Sequence, residues 1–171
     1  NTLGDKNVLI GYQAGKNFGT GTASDNNVAI GFKAGMGSGY TDANYNVFIG
    51  HQAGIDATSG DSNIGLGFNS LFELKGGSNN VALGYQTGVN LTTGANNVMI
   101  GYEVGFKVST GGNNIFLGEG SNGTELGGQA ATANQLRIGK DDIVPISASL
   151  VTGETIVRSQ RPITTHTANF T

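Results

Sequence analysis

The chain of 171 residues has no cysteine, no tryptophan and only two prolines, Pro145 and Pro162. Without cysteine it can form neither a disulfide nor a thiolate metal or redox centre, and cysteine usage says nothing of its compartment. The shortage of proline argues against a stiff proline-rich linker, and glycine at every third residue, which collagen needs, does not occur. Charged residues make up 12 % of the chain with a net charge of −3, roughly half the usual share of ~25 %. No basic run is present, so the electrostatic footprint of a nucleic-acid binder is missing. No apolar run approaches the length of about 18 residues that a membrane-crossing helix needs, so membrane insertion is not expected. Helical patterning is missing too. Apolar residues do not recur at steps of three and four, and the 30 glycines would each cost a helix interior ~1 kcal/mol.

What is abundant is repetition. Asn96-Asn97-Val98-Met99-Ile100-Gly101-Tyr102-Glu103-Val104-Gly105 has close copies at Asn26–Gly35 and Asn79–Gly88, and looser ones starting at Asn7, Asn46, Asn63 and Asn114. The leading aliphatics Val8, Val28, Val47, Ile64, Val81, Val98 and Ile115 are 20, 19 and then four times 17 residues apart. A short fixed period is the signature of a stacked array, in which each copy rests on its neighbours.

Within each copy two aliphatics stand two apart: Val8/Ile10, Val28/Ile30, Val47/Ile49, Ile64/Leu66, Val81/Leu83, Val98/Ile100 and Ile115/Leu117. Period two with β-branched side chains predicts a short strand with one buried face, and these pairs are the expected repeat core. The residue between them varies (Leu9, Ala29, Phe48, Gly65, Ala82, Met99, Phe116), so it is expected on the opposite, partly covered face. A glycine follows every pair: Gly11, Gly31, Gly50, Gly67, Gly84, Gly101 and Gly118. A turn with positive φ, or a close backbone approach, would require it. An aromatic or histidine comes next in six copies, and the polar connectors end in Asn, which suits a left-handed corner. Stacking would set Asn above Asn as a side-chain ladder.

The expected fold is all-β: a β-solenoid, or β-roll, of short stacked strands in coils of about 17 residues. One such coil offers only about three good core side chains, each worth ~1.5–3 kcal/mol. Three chains around one axis would bury more, so a homotrimer is expected. Residues 1–120 form the array, 121–140 a connector with a degenerate last copy at Gln135-Leu136-Arg137-Ile138-Gly139, and 141–171 a non-repeat β cap or junction to a C-terminal region. The opening Asn1-Thr2-Leu3-Gly4 lies in mid-pattern and reads as part of something longer.

Chemical motifs are few. Gly118 to Gly123 spells GxGxxG after a strand, but a dinucleotide site needs a helix next, and Thr124-Glu125-Leu126-Gly127-Gly128 is a poor one. Gly11 to Lys16 approximates a P-loop one residue short, with Asn17 where Ser or Thr belongs. His51 and His166 are too far apart in sequence to make a local metal pair, and His51 sits in the aromatic position, where a structural role is expected. Asp25, Asp61, Asp141 and Asp142 read as turn residues rather than calcium ligands, because no loop offers oxygen ligands at alternating positions. Three glycosylation sequons begin at Asn90, Asn122 and Asn169. With no nucleophile–base–acid set in view, no enzymatic activity, no cofactor and no metal are expected. Tyr12, Phe32, Phe68, Tyr85 and Tyr102 suggest either a strip that stacks on sugar rings or packing inside a coil or between protomers; their recurrence at one position favours packing. Receptor contacts would then fall in the irregular connectors, Phe18–Ser24 and Met36–Asn44.

The repeat Asn-Val-x-Ile-Gly-Tyr-x-Ala-Gly, with Thr-Thr-Gly-x-Asn-Asn between copies, resembles arrays in bacteriophage tail fibres. It is also similar to the head repeat of trimeric autotransporter adhesins of the YadA type, where Val-Ala-Ile-Gly marks each coil of a trimeric β-roll. Val28-Ala29-Ile30-Gly31 and Val81-Ala82-Leu83-Gly84 carry the likeness best, and it extends over about residues 1–139. The resemblance implies a rigid, trimeric, extracellular fibre on a virion or a bacterial surface that holds or forms a receptor-binding tip, with a host glycan or protein as partner. Two rival solenoids fit less well. An ice-binding face needs regular threonines, whereas Thr92-Thr93 alternates with Ser59, Lys75 and Ser109-Thr110. A hexapeptide acyltransferase needs coils in multiples of six and a catalytic histidine.

Overall fold

The computed structural model describes residues 5–18, 24–37, 39, 42–120 and 133–139, and the backbone of 140 and 143–149. The connector around 121–132, the tail beyond 149, the sequons at Asn122 and Asn169, His166, Asp141 and Asp142 lie outside the described residues, as does the second half of the GxGxxG match.

The described residues contain no helix. Their nine strands are β1 (Val8–Ile10), β2 (Val28–Ile30), β3 (Val47–Ile49), β4 (Ile64–Leu66), β5 (Val81–Leu83), β6 (Val98–Tyr102), β7 (Ile115–Glu119), β8 (Gln135–Lys140) and β9 (Ile143–Ser149). They form one sheet in chain order, with the first eight parallel, as a β-solenoid of about seven turns. Register follows the repeat: Val28 pairs with Val47, Val47 with Ile64, Ile64 with Val81 and Val81 with Val98. The degenerate copy continues it, with Leu136 beside Ile115 and Gly139 beside Gly118. Strand β9 reverses direction against β8.

Two backbone devices make each corner. The glycine after the aliphatic pair has φ between 128° and 139° at all seven positions. A Cβ there would also lie 1.6–2.4 Å from the carbonyl oxygen of the matching glycine one coil on. Both reasons for glycine, positive φ and close approach, apply at once. At the other end of the strand, the residue before the leading Asn is left-handed. Asn26, Asn79, Asn96 and Asn113 have φ of 59°, and Lys6, Tyr45 and Ser62 share the conformation at 58–60°.

The leading asparagines stack into a buried column. Asn27, Asn46, Asn63, Asn80, Asn97 and Asn114 are all fully buried. Asn80 is typical. Its backbone N–H and its Nδ2 both donate to Asn63 Oδ1 at 3.0 Å, and Nδ2 also donates to the Gly94 carbonyl at 2.9 Å. Its Oδ1 in turn accepts from the backbone and side chain of Asn97, each at 3.0 Å. Asn63 and Asn97 repeat the pattern, so these three amides are saturated, which is the condition for burying a polar column without loss. A second ladder runs beside it. Asp25 N–H donates to Asn44 Oδ1 and Asn44 N–H to Asp61 Oδ1, both at 2.7 Å, and Asp61 N–H donates to Ser78 Oγ at 3.0 Å.

The faces of the strand are the reverse of the expectation. Ala29, Phe48, Ala82, Met99 and Phe116, middle residues between the aliphatics, are 0 % exposed, whereas Leu9 in the first coil is 43 % exposed. The aliphatic pairs, expected as the core, are not buried but point outward. Val8, Ile10, Ile100 and Ile115 are exposed, and Val28, Ile30, Val47, Ile49, Ile64, Leu66, Val81, Leu83, Val98 and Leu117 are half-buried. Leu117, for instance, is not a core residue of β7; it lies on the outer face, in register with Ile100 on one side and Ile138 on the other. The reason is closure. After the glycine turn the chain folds back across the face of the middle residue, bringing Ala34, Ala53, Val104, Leu74, Leu91 and Val108 onto it. Only one face of each strand can be closed by its own coil, and here it carries the middle residue.

The variability inside is compensated locally. In five coils glycine stands six residues after the middle position (Gly15, Gly35, Gly54, Gly88 and Gly105), left-handed at 54–71°. In the fourth coil the order is swapped: Gly65 is the middle residue and Leu71 takes the left-handed place at 50°. Leu71 is fully buried; it fills the volume that Gly65 leaves. A Cβ on Gly65 would meet Phe48 and Ser70 at 3.1 Å. Leu71→Gly is therefore expected to lower stability by about 3 kcal/mol, the cost of an emptied leucine site less some backbone relief. Gly65→Met alone overpacks and costs about 1–3 kcal/mol. The double variant copies the Met99/Gly105 arrangement of the sixth coil and is expected to recover about 2 kcal/mol over the sum of the two. Chemical unfolding of the three variants checks this, and additive losses would contradict the compensation.

Candidate functional site

The inverted faces leave the outer side of the sheet as the feature that distinguishes this molecule. Three columns run along it. The first and third strand residues form two aliphatic columns, and the residue after the turn glycine forms the third: Tyr12, Phe32, His51, Phe68, Tyr85 and Tyr102. All six rings are exposed, Tyr102 by 48 % and Tyr85 by 41 %. They stack face to face, with successive centroids 5.5, 4.9, 5.2, 5.1 and 5.1 Å apart and planes within 18° of parallel. That spacing is imposed by the strands, which lie about 4.8 Å apart. The left-handed residues that follow the rings, such as Lys33, Gln52, Asn69, Gln86 and Glu103, hold them in line through backbone bonds between coils, as in Gln52 N–H to the Phe32 carbonyl at 2.8 Å.

This geometry separates the two readings of the aromatics. The rings do not pack inside a coil. Nor do the inner rungs offer faces to a sugar, because each face is covered by the next ring; what they present outward is edges. Edges beside two aliphatic columns make a surface suited to packing against a second apolar surface, as aromatic pairs and aliphatics do in an interface core. Few charges intrude. Lys33 Nζ lies 5.2 Å from the Phe32 ring centroid. The ladder ends where Glu119 pairs in register with Tyr102. Tyr102 is held above the usual tyrosine range, chiefly by its hydrogen bond with Glu103 and less by desolvation and nearby charge, so its hydroxyl stays neutral.

The other sequence candidates are placed as follows. Phe18 and Ser24, at the ends of the first irregular connector, are buried, as are Gly37 and Ala43 in the second. They pack the interior; the middle of the first connector, with Ser38, Tyr40 and Thr41 of the second, lies outside the described residues. The carboxylates of Asp25 and Asp61 accept backbone amides from Asp5 and Asn44. Among the described residues no three His, Cys, Asp or Glu side chains group as a metal site, and no helix is long and apolar enough to cross a membrane. The first half of GxGxxG is the β7 turn, and Gly120 donates its N–H to the Tyr102 carbonyl at 2.8 Å, as part of the stack. The hydroxyl of Thr92 donates to the Ser109 carbonyl at 3.0 Å and that of Thr58 to the Lys75 carbonyl, so both are turned to the next coil. Arg137 occupies the inner position of β8, 5.7 Å from the Phe116 ring. A charged side chain at that place ends the apolar interior of the coils.

Comparison of the chain with protein-family models, with curated proteins and with solved structures gives no match.

Proposed function

We propose that this chain is a structural and adhesive fibre segment of a phage tail fibre, a homotrimer that carries or forms a host receptor-binding tip outside the cell. One observation carries the reading: an outward sheet face on which two aliphatic columns and a column of stacked rings run along the coil stack. Exposed apolar patches of this extent belong to interaction sites. A face with a rung every strand spacing is matched best by another face of the same period, and a second and third copy of the chain supply it. Closing three such faces around one axis adds a second core to a thin coil and leaves the connectors outward, where a host glycan or protein receptor would be met. Saturated Asn ladders and turn glycines locked to the next coil give the stiffness that a fibre needs. The likeness of the repeat to tail-fibre arrays supports the same reading.

Antibodies raised against the purified chain test it. They are expected to label the ends of tail appendages on virions and to block adsorption to the host. Label confined to a bacterial surface would replace this reading with an adhesin head, and absence from both would overturn it.

A further inference from the structure

His51 is the odd member of the ring ladder. It sits between Phe32 and Phe68, at centroid distances of 4.9 and 5.2 Å, in the third of seven coils and on the face through which the chains would associate. The other five rungs are carbocyclic. An imidazole is the one ring among them that can gain a charge between about pH 5 and 8.

We propose that His51 makes association through the outer sheet face acid-labile: proton uptake on its ring opposes closure of the face. This rests on the homotrimer reading above. In the single chain His51 is exposed, so an imidazolium is solvated by water. Covering the face removes that water, and burial disfavours the charged form. Attraction to the faces of Phe32 and Phe68 is already present before association, so only its strengthening on covering counts against the larger cost of burying the charge.

Among the described residues no counter-charge is at hand. On its own coil His51 is bordered by Ile49 and neutral Gln52, on the next by Phe68 and neutral Asn69, and on the preceding one by Phe32 and Lys33. Lys33 is a further positive charge. The carboxylates of these coils are elsewhere. Asp25 and Asp61 cap backbone amides at the corner before the strands, and Asp42 bonds the Asn44 side chain there. Asp56 and Glu73 lie on the returning segment, bonded through their backbone N–H groups to Phe72 and Val89. A partner in parallel register presents the same residues.

Covering the face penalises a charged ring there, so association is expected to be weaker at acid pH than at neutral pH. Each protomer then takes up at most one proton on release. The dissociation constant rises by up to about tenfold per pH unit for each protomer, or about a thousandfold for three.

Sedimentation of the full chain near pH 7.5 and near pH 5.5 tests this, with His51→Phe and His166→Gln as variants. His51→Phe keeps the ladder, since Phe already stands in the adjacent rungs. The unmodified chain and His166→Gln are expected to dissociate at the acid pH, and His51→Phe to stay assembled at both. Equal acid sensitivity of His51→Phe and the unmodified chain, or no sensitivity in either, would overturn the role of His51 and leave the homotrimer standing. A single-chain mass already at pH 7.5 would overturn the homotrimer and the switch with it.

Discussion

Gly84→Val is expected to break the coil stack between β5 and β6. Gly84 has φ of 132°, a conformation that costs a side-chain-bearing residue ~1–3 kcal/mol. Its Cβ would also fall 1.8 Å from the Gly101 carbonyl oxygen and 3.0 Å from Thr87 Oγ1. Neither atom is free to move: Gly101 lies in register on β6, and Thr87 Oγ1 donates to that same carbonyl at 2.9 Å. The strands must part, and with them go the packing and the hydrogen bonds of one coil interface. A total loss of about 5 kcal/mol or more is expected, a fall in Tm of ~10–20 °C for a chain of this size. Because repeat arrays are held by nearest-neighbour contacts, the transition should also broaden as the two halves unfold apart. Gly39→Val separates strain from collision. Gly39 has a φ of 143° but nothing within 4 Å of a Cβ, so it should lose only the backbone part, ~1–3 kcal/mol. Thermal melts followed by circular dichroism decide, and equal losses at the two positions would refute the role given to coil contact.

Aspartate at neighbouring positions of β5 should have opposite consequences. Ala82 is 0 % exposed, inside the coil between Gly65 and Met99 on the adjoining strands. Ala82→Asp puts a carboxylate into the apolar interior of the coil, at a cost of several kcal/mol. Against a total stability of about 5–15 kcal/mol, that is enough to prevent folding. Leu83 points the other way and is half-buried in the single chain. Leu83→Asp should keep the strand spectrum of the coil stack while setting three carboxylates against one another across the closed face, so the assembly falls to single chains. Were Leu83→Asp to unfold and Ala82→Asp to remain assembled, the assignment of the two faces would be wrong.

The contrast between these two residues marks the limit of what could be read from the chain. The strands were legible because the leaders Val28, Val47, Ile64 and Val81 recur at a fixed spacing, and the corners because glycine and asparagine never leave their places. Asn above Asn was legible for the same reason. Which face closes was not. In Val98-Met99-Ile100, as in Ile115-Phe116-Leu117, all three residues are apolar, so alternation carries no sign of inside and outside. Variability at the middle position suggested freedom, yet Gly65 and Leu71 exchange size within one coil. That coupling was the available signal for an interior column. The left-handed Gln13, Lys33, Gln52, Gln86 and Glu103 were not legible either, because neither Gln, Lys nor Glu favours positive φ. Recurrence at one position pointed to a packed role for the aromatics, and their outward stacking became visible only once the direction of coil closure was known.

The mass of the unmodified chain in neutral solution, by light scattering at micromolar concentration, tests most directly whether the outward face joins chains. Closure of three faces predicts about 52 kDa, three times the 17.4 kDa chain. A lone 17.4 kDa species with the apolar face open to water would contradict it.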